Sequence, residues 1–330
     1  MSRIIRLDLA FGLVVLLAAC SGSDQPAPGG EGSKIVLGFS QIGAESEWQT
    51  ANITSVRAAA AEAGITLRIS DAQLKQENQI EALRSFIAQR VDVIAFSPVV
   101  ETGWESVLRE ARAAEIPVIL TDRAVEVSED TLYLTLIGSD FVEEGRKAGR
   151  WLLEHYSKET AKDHPGDINI VELQGRVGSA PANDRQKGFA EIIAADPRFR
   201  IIRSQTGEFT RAKGKEVMEE FLKAEGRRIN VLFAHNDDMA LGAIQAIEEA
   251  GMKPGSDITI ISIDGVKGAF EAMIAGKLNV TVECNPLLGP QLIAAVKDVA
   301  AGKTIPRRIV TEESVFPREV AAQELPKRKY

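Results

Sequence analysis

The sequence predicts an α/β fold of two similar lobes, each a parallel sheet covered by helices. Three observations carry this expectation. Short runs rich in Val and Ile alternate with longer amphipathic segments from Lys34 onward. Most of those runs are apolar throughout, as strands buried on both faces are. The strand starts form two series, near 35, 65, 92 and 117, then near 168, 199, 230 and 258.

The elements follow in order. Residues 1–19 open with Arg3 and Arg6 and continue into "LAFGLVVLLAAC", which reads as a secretory signal despite Asp8. Residues 20–33 include "SGSDQPAPGGEGS", without apolar periodicity and rich in Ser, Gly and Pro, hence a flexible tether. The first series of runs is "KIVLGFS", "ITLRIS", "VDVIAFSP" and "IPVILTD". The second is "INIVELQG", "RIIRSQ", "INVLFAHND" and "ITIISIDG". Between them "TLYLTLIGSD" reads as a strand crossing from one half to the other. Helical spacing joins Ile80, Leu83, Phe86 and Ile87. It also joins Val217, Met218, Phe221 and Leu222, and Ile244 with Ile247. Gly64 and Gly251 stand where helices stop. Each unit is a βαβ crossover.

Composition bounds the function. The chain has 330 residues, 45% of them apolar, enough for a sizeable core, and suggests two domains. The net charge of -8 gives no basic footprint for nucleic acid or an anionic membrane surface. With only Cys20 and Cys284, no intramolecular disulfide forms if Cys20 carries lipid, and Cys284 reads as a small buried filler.

In open parallel sheets ligands bind beyond the carboxyl ends of the strands. Ser40 and Gln41 follow the first run, Ser97 the third, and Asp122 with Arg123 the fourth. Gln174, then Asn236, Asp237 and Asp238, then Asp264 follow runs of the second half. If these edges face each other, they form a polar cleft with Trp48 nearby. Such a set suits a neutral polyhydroxylated ligand, since each hydroxyl both donates and accepts. Any one of these residues also suits a turn or helix cap, and Asp237 or Asp238 would cap a helix beginning near Met239. Trp48 reads either as a ring over a sugar face or as the first core anchor of its helix, with Ile53 and Val56 behind it. An Arg beside an Asp at a strand end is costly to bury without a purpose.

Other chemistries lack their signatures. No GxGxxG follows a strand, no GxSxG elbow occurs, and His155, His164 and His235 have no metal spacing, so neither cofactor nor metal is expected. Glu45 and Glu47 are two apart at a helix start and do not face each other as a glycosidase pair would.

The segments "DRA", "ELQG", "NDRQKGF", "FTRAKGKEVME", "AHNDDMALGAIQAI" and "SIDG" resemble periplasmic sugar-binding proteins of ABC importers, of the ribose-binding type. "GFSQIGAESEW", "LKQENQIEALRSFIAQRVDVIAFSPVVETGW" and "AHNDDM" look closer still to the galactofuranose-binding type. The resemblance implies a type I periplasmic binding protein, two lobes joined by three hinge strands. Residues 34–137 plus 284–311 would form one lobe, and 138–283 plus 312–330 the other. It implies a ligand site of Glu45, Trp48, Ser97, Asp122, Arg123, Arg185, Phe209, Asn236, Asp264 and Glu283. "LAAC" resembles a bacterial lipobox, which implies lipid on Cys20. A plain signal cleaved near the same place is the alternative.

The implied function is capture of a monosaccharide, galactofuranose or a related pentose or hexose, and its delivery to an ABC permease by a non-enzymatic monomer. The implied location is the periplasm or the outer face of the cytoplasmic membrane, with the lipid as the only membrane contact. In the galactofuranose-type pattern an arginine follows the tryptophan; here it is Gln49. A chemotaxis or signal receptor of the same fold is the rival reading. A transcription regulator would need a helix-turn-helix where the signal and tether stand. A secreted sugar enzyme would show itself by product.

Overall fold

A computed structural model describes residues 34–44, 46–159 and 166–330. Cys20 and Glu45 lie outside the described residues. Two six-stranded sheets form the frame, each flanked by helices. The first sheet is built from β1 (Val36–Gln41), β2 (Thr66–Asp71), β3 (Val93–Phe96), β4 (Val118–Thr121), β5 (Thr135–Gly138) and the late β11 (Arg308–Val310). Its order is β11-β5-β4-β3-β1-β2, parallel throughout. Its helices are α1 (Glu47–Glu62), α2 (Gln76–Ala88) and α3 (Glu105–Ala113).

The second sheet contains β6 (Ile168–Gln174), β7 (Phe199–Thr206), β8 (Val231–Ala234), β9 (Thr259–Asp264), β10 (Val280–Glu283) and β12 (Val315–Pro317). Its order, β12-β10-β9-β8-β6-β7, repeats that of the first, except that β12 runs antiparallel to β10. Its helices are α4 (Phe141–Glu159), α5 (Ala180–Ile193), α6 (Arg211–Glu225), α7 (Asp237–Glu249) and α8 (Lys267–Ile274). Late in the chain α9 (Gly289–Ala300) packs on α1, and α10 (Ala321–Glu324) packs on α8. The chain passes between the sheets three times, at 139–140, 284–288 and 311–314.

The central strands are apolar on both faces because helices cover both. In the first lobe Leu83, Phe86, Phe96, Trp104 and Leu108 fill one side. Leu37, Phe39, Val56, Leu292 and Val296 fill the other. The edge strands depart from the uniform apolar pattern. β2 and β7 each have only one neighbour, so Arg68, Arg203, Ser204 and Gln205 reach water there.

Helix boundaries follow local chemistry. Ser46 Oγ caps α1 by accepting from Gln49 N at 3.2 Å, and Gly64 ends it at φ +69°. Asn236 caps α7, its Oδ1 accepting from Met239 N at 3.0 Å, so the helix starts at Asp237. The expectation that Asp237 or Asp238 would be the cap is corrected: both carboxylates bond elsewhere. Among the described residues no helix is long and apolar enough to cross a membrane.

Candidate functional site

The first lobe offers Asp122 and Arg123 at the end of β4. Asp122 takes a left-handed backbone, φ +63°, and its N–H donates to Ile137 O at 2.7 Å. The turn lies against Gly138, where a Cβ would stand 3.0 Å from the Asp122 Cα. One Asp122 carboxylate oxygen, Oδ2, accepts from Ser97 Oγ at 3.1 Å and stands 3.4 Å from Arg123 Nε. Burial pushes the Asp122 carboxyl above the usual carboxylate range, opposed by Arg123 and Arg185. From the start of α1 come Trp48 and Gln49, both buried. Trp48 Nε1 donates to Cys284 O at 2.7 Å, so the indole is tied to the second interlobe crossing.

The second lobe offers Arg185 from α5. Its Nε donates to Glu144 Oε2 at 2.7 Å and its Nη1 to His235 O at 2.5 Å. Nη2 lies 3.8 Å from Asp264 Oδ1. Burial opposes its charge, but Glu144, Cys284 and Asp264 together hold its pKa above the usual arginine value. The close approach of α4 to α5 places Glu144 there. A Cβ on Gly145 would stand 2.2 Å from Arg185 O, and one on Gly188 would stand 2.0 Å from Val142 O.

Phe209 follows β7 at φ +62°, with its ring over Gly175, where a Cβ would lie 1.9 Å from the ring. Asn236 Nδ2 donates to Phe209 O at 3.1 Å and fixes that loop. Asp264 ends β9 at φ +135°, and burial pushes its carboxyl well up against the pull of Arg185.

These side chains converge. Trp48, Asp122, Arg123, Arg185, Phe209, Asn236 and Asp264 line one cavity between the carboxyl edges of the two sheets, closed down to about 20 Å³ of free space. Ser46, Gln49, Pro181 and Cys284 complete it. Two carboxyls that burial pushes toward their neutral form, two guanidinium groups, amides and two aromatic rings face one another there. Arg123 crosses the cleft to lie over Phe209, 5.3 Å from the ring centre. Three lining residues, Asp122, Phe209 and Asp264, hold left-handed backbones, a strain of about 1–3 kcal/mol each that concentrates at functional sites.

The lobes touch around this cavity. Glu47 N donates to Asp238 Oδ2 at 2.8 Å, and Arg211 Nη2 reaches Glu47 Oε1 at 2.8 Å and Asp238 Oδ1 at 3.0 Å. Elsewhere on the rim Glu101 N donates to Gly178 O at 2.9 Å, and Asn183 Nδ2 to Glu101 Oε2 at 2.6 Å.

Two expected residues stand off the cavity. Ser97 sits one step back, as a donor to Asp122. Glu283 is claimed by the end of the chain: Arg328 Nη1 donates to it at 2.9 Å, Tyr330 OH at 3.1 Å and Ser314 N at 3.2 Å. Gln41 and Gln174 likewise turn aside, donating to Asp71 Oδ2 and Ser204 Oγ. Trp48 lines the cavity, but it is not the anchor of a core with Ile53 and Val56: those pack in the first lobe, while Trp48 packs with residues of the second. Glu144 was not singled out in the sequence, where it is one acid among several on an amphipathic helix. Cys284 is buried, as a filler would be, but it also forms part of the cavity wall.

Among the described residues Glu144, Cys284 and Glu313 bring three candidate ligand atoms within 4.8 Å of one another. A proton fits that group better than a metal ion, because Arg185 already supplies a cation to Glu144. A hydrogen bond between the Glu144 and Glu313 side chains is the place for that proton. The facing Glu313 carboxyl is pushed up to about 9 by burial and by Glu144.

The chain is similar to known proteins over nearly its whole described length. It is 48% identical to the galactofuranose-binding protein YtfQ of Escherichia coli, over 89% of this chain and 92% of that one. A Mycobacterium smegmatis protein solved in complex with β-D-fucofuranose superposes with a TM-score of 0.86 at 53% identity, covering 90% and 95% of the two chains. The arabinose-transporter binding protein of Shewanella sp. ANA-3, solved with α- and β-L-arabinofuranose, gives 0.84 at 52%, covering 89% and 95%. Residues 37–304 match the model of the periplasmic binding protein domain. Two repeated sheets, three crossings and one polar cavity between them agree with that match, and the chain belongs to the periplasmic binding protein family.

Proposed function

We propose that this protein is an extracytoplasmic receptor that captures a monosaccharide in furanose form, galactofuranose or a related pentose or hexose, and delivers it to an ABC permease. The observation that carries this reading is the convergence of Asp122, Arg123, Arg185, Asn236 and Asp264 from both sheets on one cavity. Asp122 and Asp264 accept from sugar hydroxyls, while Arg123 and Arg185 donate to them. Paired donors and acceptors suit a neutral polyhydroxylated ligand, and the rings of Trp48 and Phe209 suit the apolar face of a sugar. The relatives solved with fucofuranose and arabinofuranose support the ring form.

No proton or group transfer is asked of the site, so the protein acts as a binder and not as an enzyme. Closure is a ligand-driven population shift, since only the closed state contacts the sugar from both lobes. The tether and a lipid on Cys20 would hold a monomer at the outer face of the cytoplasmic membrane, close to its permease.

Calorimetric titration with D-galactose, D-fucose and L-arabinose tests the reading. At least one should bind with micromolar affinity or better, about -8 kcal/mol for a ligand of about 12 heavy atoms. Absence of heat with all three, and of any thermal shift, sinks it.

A further inference from the structure

We propose that Asp237 is a positioning residue for the sugar site: without touching ligand, it holds the turn that presents Asp264. The inference rests on the sugar-binding reading above and deepens it.

Asp237 is fully buried and does not line the cavity. Both its oxygens are already engaged. Oδ2 accepts from Gly265 N at 2.7 Å and Val266 N at 2.9 Å. Oδ1 accepts from Thr281 Oγ1 at 2.8 Å and from Ser262 Oγ. The two amides are those that follow Asp264 in the chain, and the two hydroxyls come from the neighbouring strands β9 and β10. One carboxylate at the start of α7 therefore gathers two strands and a turn.

That turn needs holding. Asp264 adopts φ +135°, a conformation that L residues keep only where their surroundings over-determine it. Cys284 N fixes the Asp264 carbonyl at 3.0 Å, and Asp237 fixes the next two amides. The Asp264 carboxylate is thereby left facing Arg185 and the cavity. Burial pushes the Asp237 carboxyl up to about 7 even with four donors around it, so an acid here is an expensive choice for structure alone.

Its neighbours serve the same site by other routes. Asn236 lines the cavity, and Asp238 bonds Glu47 of the opposite lobe. The run "NDD" thus joins a lining residue, a positioning residue and an interlobe contact in three consecutive positions.

A double-mutant cycle tests the inference, read by calorimetric Kd with D-galactose and L-arabinose and by Tm. Asp237→Asn should weaken binding about tenfold in the wild-type background and less than about twofold when Asp264→Asn is already present. Its effect on Tm should be equal in both backgrounds. Wild-type affinity in Asp237→Asn, or a tenfold loss that persists beside Asp264→Asn, overturns the proposal. If Asp237→Asn does not fold, Thr281→Val removes one donor to the same carboxylate and should show the same dependence on Asp264 at about threefold. A wild-type protein that binds no sugar overturns the function reading, and this inference with it. A wild-type protein that binds sugar beside an unaffected Asp237→Asn overturns this inference alone.

Discussion

Each lobe presents one aspartate in a left-handed backbone and one arginine to the same cavity, but the two pairs are built differently. In the first lobe Asp122 and Arg123 are adjacent in sequence, and their support comes from the same sheet edge: Ser97, just past the end of neighbouring β3, and the close pass of Gly138. In the second lobe Asp264 and Arg185 are 79 positions apart on β9 and α5. Arg185 is held by Glu144 and the His235 carbonyl, and Asp264 by the turn that Asp237 pins. The difference teaches that similar chemistry at one cavity can rest on a short-range or a long-range network. The second kind should tie the site more closely to lobe stability.

The sharpest test of that contrast is a pair of alanine variants. Arg185→Ala should abolish sugar binding and also destabilise the fold by about 3–5 kcal/mol, because it leaves Glu144 buried without its cation. Arg123→Ala should also remove detectable sugar binding but cost less stability than Arg185→Ala, because Asp122 keeps the Ser97 hydroxyl and the nearby charge of Arg185. Calorimetry for binding and thermal melts for stability separate the two. Equal losses of Tm in both variants would erase the distinction between the lobes.

The same contrast explains how far the sequence could be read. The fourth run ends in "TDR", so Asp122 and Arg123 declare themselves by adjacency at a strand end. The eight strand starts were legible because buried parallel strands leave apolar runs bounded by turns. Edge strands β2 and β7 kept enough apolar residues to be recognised, but their exposure follows from having one neighbour, which no local pattern records. Glu144 was not legible, since its role depends on glycine-mediated contact between two helices. Glu283 lies beside a crossing and resembles a lining residue, yet Arg328 and Tyr330 arrive from 45 and 47 positions away to claim it. Arg185, Phe209 and Glu45 came from family resemblance, not from spacing. The first two line the cavity, and Glu45 lies outside the described residues.

A weaker test concerns the crossings that join the lobes. Glu313 Oε1 accepts from Thr311 Oγ1 at 3.0 Å, Asn285 N at 3.1 Å and Ser139 Oγ, residues from all three crossings. Burial, then Glu144, pushes this carboxyl from 4.5 up to about 9. A raised carboxyl pKa means that the folded state keeps a proton the unfolded chain has lost. Its contribution is complete below about pH 4.5 and is lost as pH rises through about 9. Glu313→Gln, neutral at every pH, should therefore raise Tm at pH 8 by about 2–6 °C and converge with wild type near pH 4. A pH-independent difference in Tm would show that Glu313 is not protonated in the folded protein.

The smallest expected effect separates rim from cavity. Arg211 sits on α6 and reaches Glu47 of the opposite lobe, while also bonding Asp238 of its own. Its side chain is about two-fifths exposed, and an ion pair of that kind is worth about 0–1 kcal/mol. The Glu47 bond joins the two lobes, so closure and not lobe stability should feel its loss. Arg211→Ala should weaken sugar binding about two- to fivefold at low salt, with Tm of the sugar-free protein nearly unchanged. Salt screens exposed pairs, so the deficit should shrink as ionic strength rises toward 1 M. The Arg123→Ala deficit, made inside a buried cavity, should persist there. An Arg211→Ala deficit that survives high salt would move Arg211 from the rim into the binding set, and the division between a closing rim and a gripping cavity would have to be redrawn.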